Sequence, residues 1–322
     1  MDRKLAQKPK IGIIAGDPAG IGPEIIAKAL PACRGRYQPV LIGSSALLTD
    51  AIRHYAPDWN IRQARWVDVA LEGPVVPGTI SAGSGQATDR SIRQAIRLAQ
   101  TGEVDGLALA PITKQALRLA GVGYDSEFEV LAREFQVQDV KAVVRAGNIF
   151  RCTVVGHCPF REIASRLTTA GIVQTARQLA AVMARYGCLE RGIAVAALNP
   201  HAGEGGLFGD EEARIIEPAI QALRQNDLKV IGPVPADTVF LKAKNGEVGG
   251  LVYLYHDQGN IAMKSCCFGD SVLIYTQVPC PVVSVGHGSA LDIAGQGTAD
   301  PHNMIACLET LWAMLQGGPD DV

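Results

Sequence analysis

Three histidines follow apolar segments that have the pattern of buried strands. His157 ends the segment Cys152-Thr-Val-Val-Gly-His157, His201 ends Ile193-Ala-Val-Ala-Ala-Leu-Asn-Pro-His201, and His256 follows Leu251-Val-Tyr-Leu-Tyr255. Open α/β sheets bind their ligands at the carboxyl ends of such strands. Three neutral imidazoles with an open fourth position suit a catalytic Zn²⁺ or a related divalent ion. The alternative interpretation is that each histidine only caps its own strand.

Two lysines and one aspartate are further candidates for chemistry. Lys264 follows His256 by eight residues and could hold an anionic substrate group or relay a proton. Lys114 begins a predicted helix after the apolar segment 106–110. Because a helix N-terminus disfavours a cation, its position indicates an anionic ligand, and a solvated lysine is the alternative. Asp237, in Pro235-Ala-Asp-Thr238, is a catalytic candidate whose alternative role is an N-cap.

The composition limits the classes of protein to which the chain can belong. It has 322 residues, a formal net charge of −2 and 48% hydrophobic residues. The length exceeds one typical core and predicts two lobes. The near-neutral charge argues against a nucleic-acid partner. No apolar run reaches the ~20 residues that span a bilayer, and no signal-peptide pattern is present, so we expect no membrane association. The eight cysteines are scattered, and reduced thiols in a cytoplasmic protein are the expectation.

Predicted strands and helices alternate along most of the chain, which indicates an α/β fold with a largely parallel sheet. Besides the three histidine segments, strands are predicted at 10–15, 40–43, 106–110, 272–275 and 282–285. Residues 141–145 and 150–155 are predicted to form a hairpin, and residues 57–80 to be irregular. The turn Gly16-Asp-Pro-Ala-Gly-Ile-Gly-Pro-Glu24 can hold an anion on its backbone amides, although a tight strand-to-helix turn also explains it.

Five motifs resemble, in their order, the 4-hydroxythreonine-4-phosphate dehydrogenase family over residues 10–310. They are the glycine-rich turn above, Ala110-Pro-Ile-Thr-Lys114, Asn199-Pro-His-Ala-Gly-Glu204, Tyr255-His-Asp-Gln-Gly259 and His287-Gly-Ser-Ala-Leu-Asp-Ile-Ala-Gly295. The resemblance implies a two-lobed α/β/α fold, similar to isocitrate and isopropylmalate dehydrogenases, with the active site in the cleft between the lobes. It also implies a homodimer with shared active sites, NAD as oxidant, and a divalent metal: zinc, or alternatively Mg, Mn, Co or Ni.

The resemblance assigns roles to particular positions of this sequence. His157, His201 and His256 match metal ligands that are drawn from both subunits, and Lys264 matches a substrate-binding position. Residues 1–125 and 270–322 are expected to form the NAD-binding lobe, and residues 126–269 the metal-binding and dimerisation lobe.

The last motif is also similar to the adenosine-binding loop of isopropylmalate-type decarboxylating dehydrogenases. This similarity implies that His287 contacts adenine, that Asp292 holds the ribose, and that Gly288 and Gly295 belong to the same loop. An aspartate there would accept a hydrogen bond from the 2′-hydroxyl and repel a 2′-phosphate, so we expect a preference for NAD over NADP. The alternative role of Asp292 is a helix N-cap before Ile293.

The chain departs from the family at its substrate positions. Where the family has Gly-His-Thr-Glu, this sequence has Ser126-Glu-Phe-Glu129, which puts Glu127 and Phe128 at two contact positions. Leu273 replaces a family asparagine, and Val282 replaces a family arginine that helps to hold the anionic substrate. Because phosphate recognition relies on charge-assisted donors, we expect a pocket that does not favour phosphate. The family aspartate before His287 is Gly286 here.

These features predict an NAD- and metal-dependent dehydrogenase that oxidises a secondary alcohol of a small hydroxy acid or diol, with decarboxylation of the β-keto acid. The segments around His201 and His287 look similar to terephthalate dihydrodiol dehydrogenase, which suggests a cis-dihydrodiol carboxylate as substrate. The alternative within the class is a genuine 4-hydroxythreonine-4-phosphate dehydrogenase. Alternatives of other classes are an NAD-independent metal hydrolase or lyase and a non-catalytic binding protein.

Overall fold

The computed structural model describes residues 8–124, 126–266 and 271–317. The chain divides into two compact units. The first unit comprises Met1–Lys141 and Ser271–Val322, and the second comprises Ala142–Asp270. No helix in the described part of the chain is both long enough and apolar enough to cross a bilayer.

The strands are, in chain order, β1 (Lys10–Ile14), β2 (Gln38–Gly43), β3 (Arg65–Asp68), β4 (Gly106–Leu109), β5 (Ala142–Ala146), β6 (Ile149–Val155), β7 (Ile193–Ala196), β8 (Val230–Val234), β9 (Gly250–Tyr255), β10 (Val272–Tyr275) and β11 (Val282–Val285). The helices are α1 (Gly22–Ala29), α2 (Ser45–Tyr55), α3 (Ala82–Gln100), α4 (Lys114–Leu119), α5 (Glu127–Phe135), α6 (Ile163–Arg166), α7 (Thr169–Arg185), α8 (Glu217–Arg224), α9 (Ala236–Lys244), α10 (His256–Cys266) and α11 (His302–Gln316).

The sheet of the first unit has the strand order β3-β2-β1-β4-β11-β10. Its pairs are parallel except that of β10 with β11. Helices cover both faces of this sheet. Neighbouring residues of a strand point to opposite faces, so they pack against different helices. In β4, a Cβ on Gly106 would lie 2.7 Å from Leu311 of α11. The next residue, Leu107, packs in a cluster with Ile92 and Ile96 of α3.

The second unit is built in the same way, with the strand order β5-β6-β9-β7-β8. Only the β5–β6 hairpin is antiparallel among its described pairs. A Cβ on Gly250 of β9 would touch Met183 of α7, whereas the next residue, Leu251, packs with Phe240 of α9 and Met263 of α10. The predicted α/β/α class is therefore confirmed for each unit.

The structure differs from the sequence prediction in the lobe boundary and in the region 57–80. The predicted lobe boundary after residue 125 lies instead between Lys141 and Ala142, because α5 packs against α3 within the first unit. The region 57–80, predicted to be irregular, contains β3, whose four residues are all partly or fully exposed and therefore lack an apolar pattern.

Candidate active site

Three loops of the first unit meet at the carboxyl ends of β1, β4 and β11. The amide of Asp17 donates to Pro111 O (3.0 Å), and the amide of Ile21 donates to Ser289 O (3.0 Å). The hydroxyl of Thr113 donates to the Ser289 hydroxyl (2.9 Å). The glycine-rich turn, the segment after β4 and the last motif therefore form one connected edge, which is the edge where open α/β sheets bind ligands.

Glycine is required in the first of these loops by close backbone contacts. Gly16 has φ +68°, and a Cβ there would lie 2.3 Å from Pro111 O. A Cβ on Gly20 would lie 2.7 Å from the Cβ of Ser289. Any larger residue would push the glycine-rich turn away from its two neighbours.

The predicted cofactor residues lie in the loop that follows β11. The Nδ1 atom of His287 is 2.9 Å from Gly288 O. A Cβ on Gly288 would meet no described atom within 4 Å, and Gly295 adopts φ +78°. The exposed Asp292 lies in a turn rather than before an α-helix, so the N-cap alternative for this residue is wrong. Its carboxylate forms no hydrogen bond with another described residue.

An ion pair on α1, which the sequence analysis did not identify, holds the end of this loop. Glu24 is 4% exposed and accepts hydrogen bonds from the amides of Gly297 (3.3 Å) and Ala299 (2.8 Å). Lys28 donates to the carbonyls of the same two residues, each at 2.8 Å, and to Glu24 Oε1 at 2.7 Å. A glutamate followed four residues later by a lysine was the signal in the sequence.

The substituted substrate positions gather around one tyrosine. The rings of Phe128 and Tyr275 are in edge contact, with centroids 5.3 Å apart. Val282 is 1% exposed and belongs to the same core cluster. Burial raises the pKa of Tyr275, and the Glu127 carboxylate raises it further, so the phenol stays neutral. Leu273 is half-buried and lies opposite Ser284 in the β10–β11 pair, two residues before Tyr275 in the same strand.

The position of Gly286 is explained by packing. Its amide donates to Ser271 O at 2.9 Å, and a Cβ at this position would lie 2.6 Å from the Ser271 Cβ. The aspartate that the family has here would not fit against Ser271 without a shift of the backbone.

In the second unit, His157 and His256 lie side by side. Their ring centroids are 4.7 Å apart. His157 is the second residue after β6, His256 is the first residue after β9, and Val155 lies opposite Tyr255 in this parallel pair. Both histidines therefore leave the same edge of the sheet, and the structure brings these two predicted ligands together.

The carboxylate of Asp257 orients His256. Its Oδ1 atom is 2.7 Å from Nδ1 of the imidazole, which leaves Nε2 for another partner. Metal-binding histidines commonly use such a carboxylate contact on the second ring nitrogen. The sequence analysis missed this role, although the adjacent His-Asp pair was visible in the motif.

The His201 loop has an unusual backbone that a buried glutamate holds in place. His201, Ala202 and Glu204 adopt positive φ values of 53°, 56° and 44°. Glu212 is 4% exposed, and its Oε1 atom accepts from the amides of Leu198 (2.9 Å) and Asn199 (2.7 Å). Its Oε2 atom accepts from the Asn199 side-chain amide at 2.8 Å. Non-glycine residues in this left-handed region concentrate at functional sites, where the surrounding structure imposes the conformation.

Gln258 connects the His201 segment with the start of α10. Its side-chain amide donates to Ala197 O (2.8 Å), and its Oε1 atom accepts from the amide of Leu254 (2.8 Å). The glutamine of the His-Asp-Gln-Gly motif thus fixes the ends of β7 and β9 relative to each other.

The three predicted ligands do not assemble within one chain. In residues 8–124, 126–266 and 271–317, no group of three or more His, Cys, Asp or Glu side chains is placed to hold a metal ion. The single chain therefore brings His157 and His256 together but not His201. Two imidazoles, one oriented by a carboxylate, are donors that suit a zinc-class ion, but catalytic zinc usually has three protein ligands.

The remaining candidates are exposed. Lys264 is on α10, and His256, Asn260 and Lys264 follow each other at the four-residue spacing that places side chains on neighbouring turns of a helix. Lys114 is the first residue of α4 in the first unit, after its N-cap Thr113. Asp237 is in the first turn of α9 but is not its N-cap, which is Pro235.

Connected loops and paired imidazoles at the carboxyl ends of parallel strands are the arrangement of an α/β enzyme. The family model described as "Pyridoxal phosphate biosynthetic protein PdxA" matches residues 35–311, and the chain belongs to this family.

Curated relatives support the same assignment. The chain is 38% identical to "4-hydroxythreonine-4-phosphate dehydrogenase" of Geobacter metallireducens, with 94% of each chain covered. It is 37% identical to "D-threonate 4-phosphate dehydrogenase" of Salmonella typhimurium, over 93% of this chain and 97% of the relative. The family consists of dehydrogenases that act on CH–OH groups, so the predicted enzyme class is confirmed at this level.

Solved structures give the same result. The 4-hydroxythreonine-4-phosphate dehydrogenase of Klebsiella pneumoniae is similar with a TM-score of 0.81 and 34% identity, over 97% of this chain and 99% of that one. A terephthalate 1,2-cis-dihydrodiol dehydrogenase of Burkholderia xenovorans has a TM-score of 0.67 and 31% identity, over 95% and 98%. A β-decarboxylating dehydrogenase of Thermococcus kodakarensis, at 17% identity and a TM-score of 0.54 over 96% and 84%, shares the fold.

Proposed function

We propose that this protein is an NAD- and divalent-metal-dependent dehydrogenase that oxidises the secondary alcohol of a small hydroxy acid. The observation that carries the proposal is the pair His157 and His256, with ring centroids 4.7 Å apart and His256 oriented by Asp257. A divalent ion held by these imidazoles would lower the pKa of the substrate hydroxyl and polarise the carbonyl that forms.

The loop after β11 is the proposed NAD site. The exposed Asp292 carboxylate would accept hydrogen bonds from a ribose, and its charge would repel the 2′-phosphate of NADP. Glu24 and Lys28 of α1 position this loop by hydrogen bonds to the backbone of Gly297 and Ala299. The bound nicotinamide would accept the hydride from the substrate.

Two lysines are proposed to bind the negatively charged substrate. Lys264 is on the helix that begins with His256, about 12 Å further along its axis at 1.5 Å per residue. Lys114 is exposed at the carboxyl end of β4. We propose that Lys264 holds an anionic group or relays the hydroxyl proton, and that Lys114 adds a second positive charge.

The names of the relatives favour a phosphorylated four-carbon substrate. Both curated relatives described above carry a 4-phosphate compound in their names. We therefore propose 4-hydroxythreonine-4-phosphate or D-threonate 4-phosphate as the first substrates. This ranking reverses the expectation from the substituted pocket residues alone.

A second candidate is an unphosphorylated ring substrate, such as a cis-dihydrodiol carboxylate, whose β-keto acid product would lose CO₂. The observation that favours it is the apolar cluster of Phe128, Tyr275 and Val282, with Val282 1% exposed where the family has arginine. A hydrogen bond to a charged group is worth about 1.5–3 kcal/mol, and a valine cannot supply it.

The test is steady-state NADH formation by the Zn²⁺- or Mn²⁺-loaded protein with the two phosphorylated acids, their unphosphorylated forms and a cis-dihydrodiol carboxylate. A kcat/KM of ~10⁴ M⁻¹s⁻¹ or more for a phosphorylated acid would support the first candidate. A clear preference for the diol would support the second. Absence of NADH formation with every substrate, together with metal-dependent hydrolysis of a substrate, would contradict the proposal.

The matched variant for this test is the double substitution Glu127→His/Phe128→Thr, which restores the family residues. Both positions are half-buried, so the change is tolerable. Val282→Arg is a poor choice, because it would bury a guanidinium in the core cluster. If the pocket disfavours phosphate, the double variant gains activity on phosphorylated acids; if phosphate is already the substrate, it gains little.

We also propose a homodimer whose partner completes the metal site. Large apolar side chains are exposed on the second unit near the histidine motifs: Phe160 at 78%, Leu207 at 72%, Phe208 at 46% and Ile261 at 68%. Such surface is costly in water and is typical of an interface. A two-fold symmetric dimer could bring His201 of one protomer to His157 and His256 of the other.

A further inference from the structure

The first unit contains a cavity of about 1140 Å³ beside the amino ends of β1 and β2. Its wall includes Lys10 and Gln38, the first residues of the paired parallel strands β1 and β2. A five-residue strand is about 16 Å long, so the cavity lies at the opposite edge of the sheet from the glycine-rich turn. Substrate and NAD are proposed to bind at the carboxyl edge. The cavity adjoins only the far end of the loop after β11, where a Cβ on Gly297 would lie 3.3 Å from the Tyr55 ring.

The charge of the cavity wall is positive. Lys8, Lys10 and Arg34 line it, and Asp58 is the acidic residue among the described lining side chains. None of the three cations forms a salt bridge with another described residue. A Cβ on Gly35 would lie 3.3 Å from the ammonium nitrogen of Lys8, so this charge lies over the Arg34–Gly35 turn. The Asp105 carboxylate accepts from the Lys10 amide at 2.7 Å and offsets part of this charge, so Lys8 and Arg34 supply most of the positive charge that favours an anionic ligand.

Three aromatic residues also belong to the wall. Tyr37, Tyr55 and Trp59 line the cavity. Tyr37 is 3% exposed, and burial raises the pKa of its hydroxyl, so the ring carries no charge that would oppose an anion. Flat aromatic faces favour a planar partner over a flexible aliphatic one, because stacked or edge-on ring contacts add to the burial of apolar area.

We propose that this cavity binds a small planar anion, namely an aromatic ring that carries a phosphate or a carboxylate. The ring packs against the half-buried Tyr55 and Trp59, and the anionic group lies among Lys8, Lys10 and Arg34. Cationic ligands are disfavoured by the net positive wall, and a bare inorganic anion leaves the aromatic surface unused.

The proposal can be tested by isothermal titration calorimetry on the full chain with saturating NAD present. Phenyl phosphate is the main probe and benzoate tests a carboxylate in place of phosphate. Inorganic phosphate supplies the charge without the ring, and benzyl alcohol supplies the ring without the charge. We expect phenyl phosphate or benzoate to bind at least tenfold more tightly than either control compound.

Variants locate the site. Lys8→Gln/Arg34→Gln and Trp59→Leu are each expected to weaken binding of the aromatic anion about tenfold or more, the loss expected for a charge-assisted contact or a ring contact. Arg97→Gln, which removes an exposed cation from α3 outside the cavity, is the matched control and is expected to leave binding unchanged.

Three results would overturn the proposal. They are the absence of binding at millimolar probe concentrations, equal affinity for inorganic phosphate and phenyl phosphate, and unchanged affinity in both cavity variants. Because the readout is binding with NAD present and not turnover, failure of the proposed dehydrogenase activity would not affect this test.

Discussion

The specificity of the nucleotide site depends on one exposed carboxylate. We predict that Asp292→Ala weakens NAD binding about tenfold and narrows the preference over NADP, because the side chain that accepts from the ribose and repels the 2′-phosphate is lost. The ratio of KM values for NAD and NADP is the measurement. Asp50→Ala, which removes an exposed carboxylate from α2, is the control. A KM ratio equal to the wild-type value would show that Asp292 has no role at the ribose.

The conformation of the His201 loop depends on the buried carboxylate of Glu212. The Oε2 atom of Glu212 accepts a hydrogen bond from the Asn199 side-chain amide. In Glu212→Gln, an amide nitrogen would take the place of Oε2, and two donors would face each other. We predict that this substitution lowers Zn²⁺ affinity about tenfold, the lower range for residues that support metal ligands. Affinity is measured by competition with a chromogenic chelator, and circular dichroism checks the fold.

Glu217→Gln is the control for this experiment, because Glu217 is exposed at the start of α8. Unchanged metal affinity in Glu212→Gln, with an intact fold, would mean that the loop is held by other contacts.

At the level of elements, close contact between α3 and α4 depends on one glycine. A Cβ on Gly85 would lie 2.1 Å from the carbonyl oxygen of Ala116. We predict that Gly85→Ala destabilises the protein by about 1–3 kcal/mol, because backbone cannot yield as a side chain can. The midpoint of urea unfolding is the measurement.

Gly83→Ala, in the same helix, is the matched control, since its Cβ would come no closer than 3.3 Å to a neighbour. We expect a much smaller change there. Equal unfolding midpoints for the two variants would contradict the packing argument.

Several elements could be predicted from the sequence, because buried strands have recognisable apolar sequences. Strands β7 and β9 are rich in apolar residues, β6 has Arg151 and Thr153 as its polar residues, and a histidine follows each strand within five residues. Helix α5 was missed, although Ser126 caps it by accepting from the amide of Glu129, three residues later.

Other features, namely the backbone conformation of the His201 loop and the pairing of the histidines, could not be predicted from the sequence. His201, Ala202 and Glu204 adopt a left-handed conformation after Leu198 and Asn199, whose amides are anchored by Glu212, and no residue type at those three positions predicts it. The pairing of His157 with His256 required the parallel register of β6 and β9. The absence of His201 from this pair in a single chain could not be read from spacing at all.

At the level of the whole molecule, the proposal that two protomers share each metal site can be tested by complementation. His201→Ala and His256→Ala should each be inactive and correctly folded. If His201 comes from the partner, a mixed dimer of the two variants has one site with all three histidines and one site that lacks both His201 and His256. After unfolding and joint refolding we expect about one quarter of wild-type activity, because half the dimers are mixed and each has one working site of two.

The outcome is read by NADH formation and by size-exclusion chromatography with light scattering. The separately refolded variants, mixed only afterwards, are the control. Activity no higher in the jointly refolded sample than in this control would mean that each chain supplies all of its own ligands.

The first unit is discontinuous in the chain, and this has a consequence during synthesis. Strand β11 lies between β4 and β10, yet it is made long after β4, with all of the second unit in between. One edge of β4 therefore stays open while the ribosome completes residues 142–270, and an open edge can pair with another chain. The second unit comes from one uninterrupted stretch and can fold as soon as it emerges. We expect the nascent chain to need protection by chaperones most during that interval.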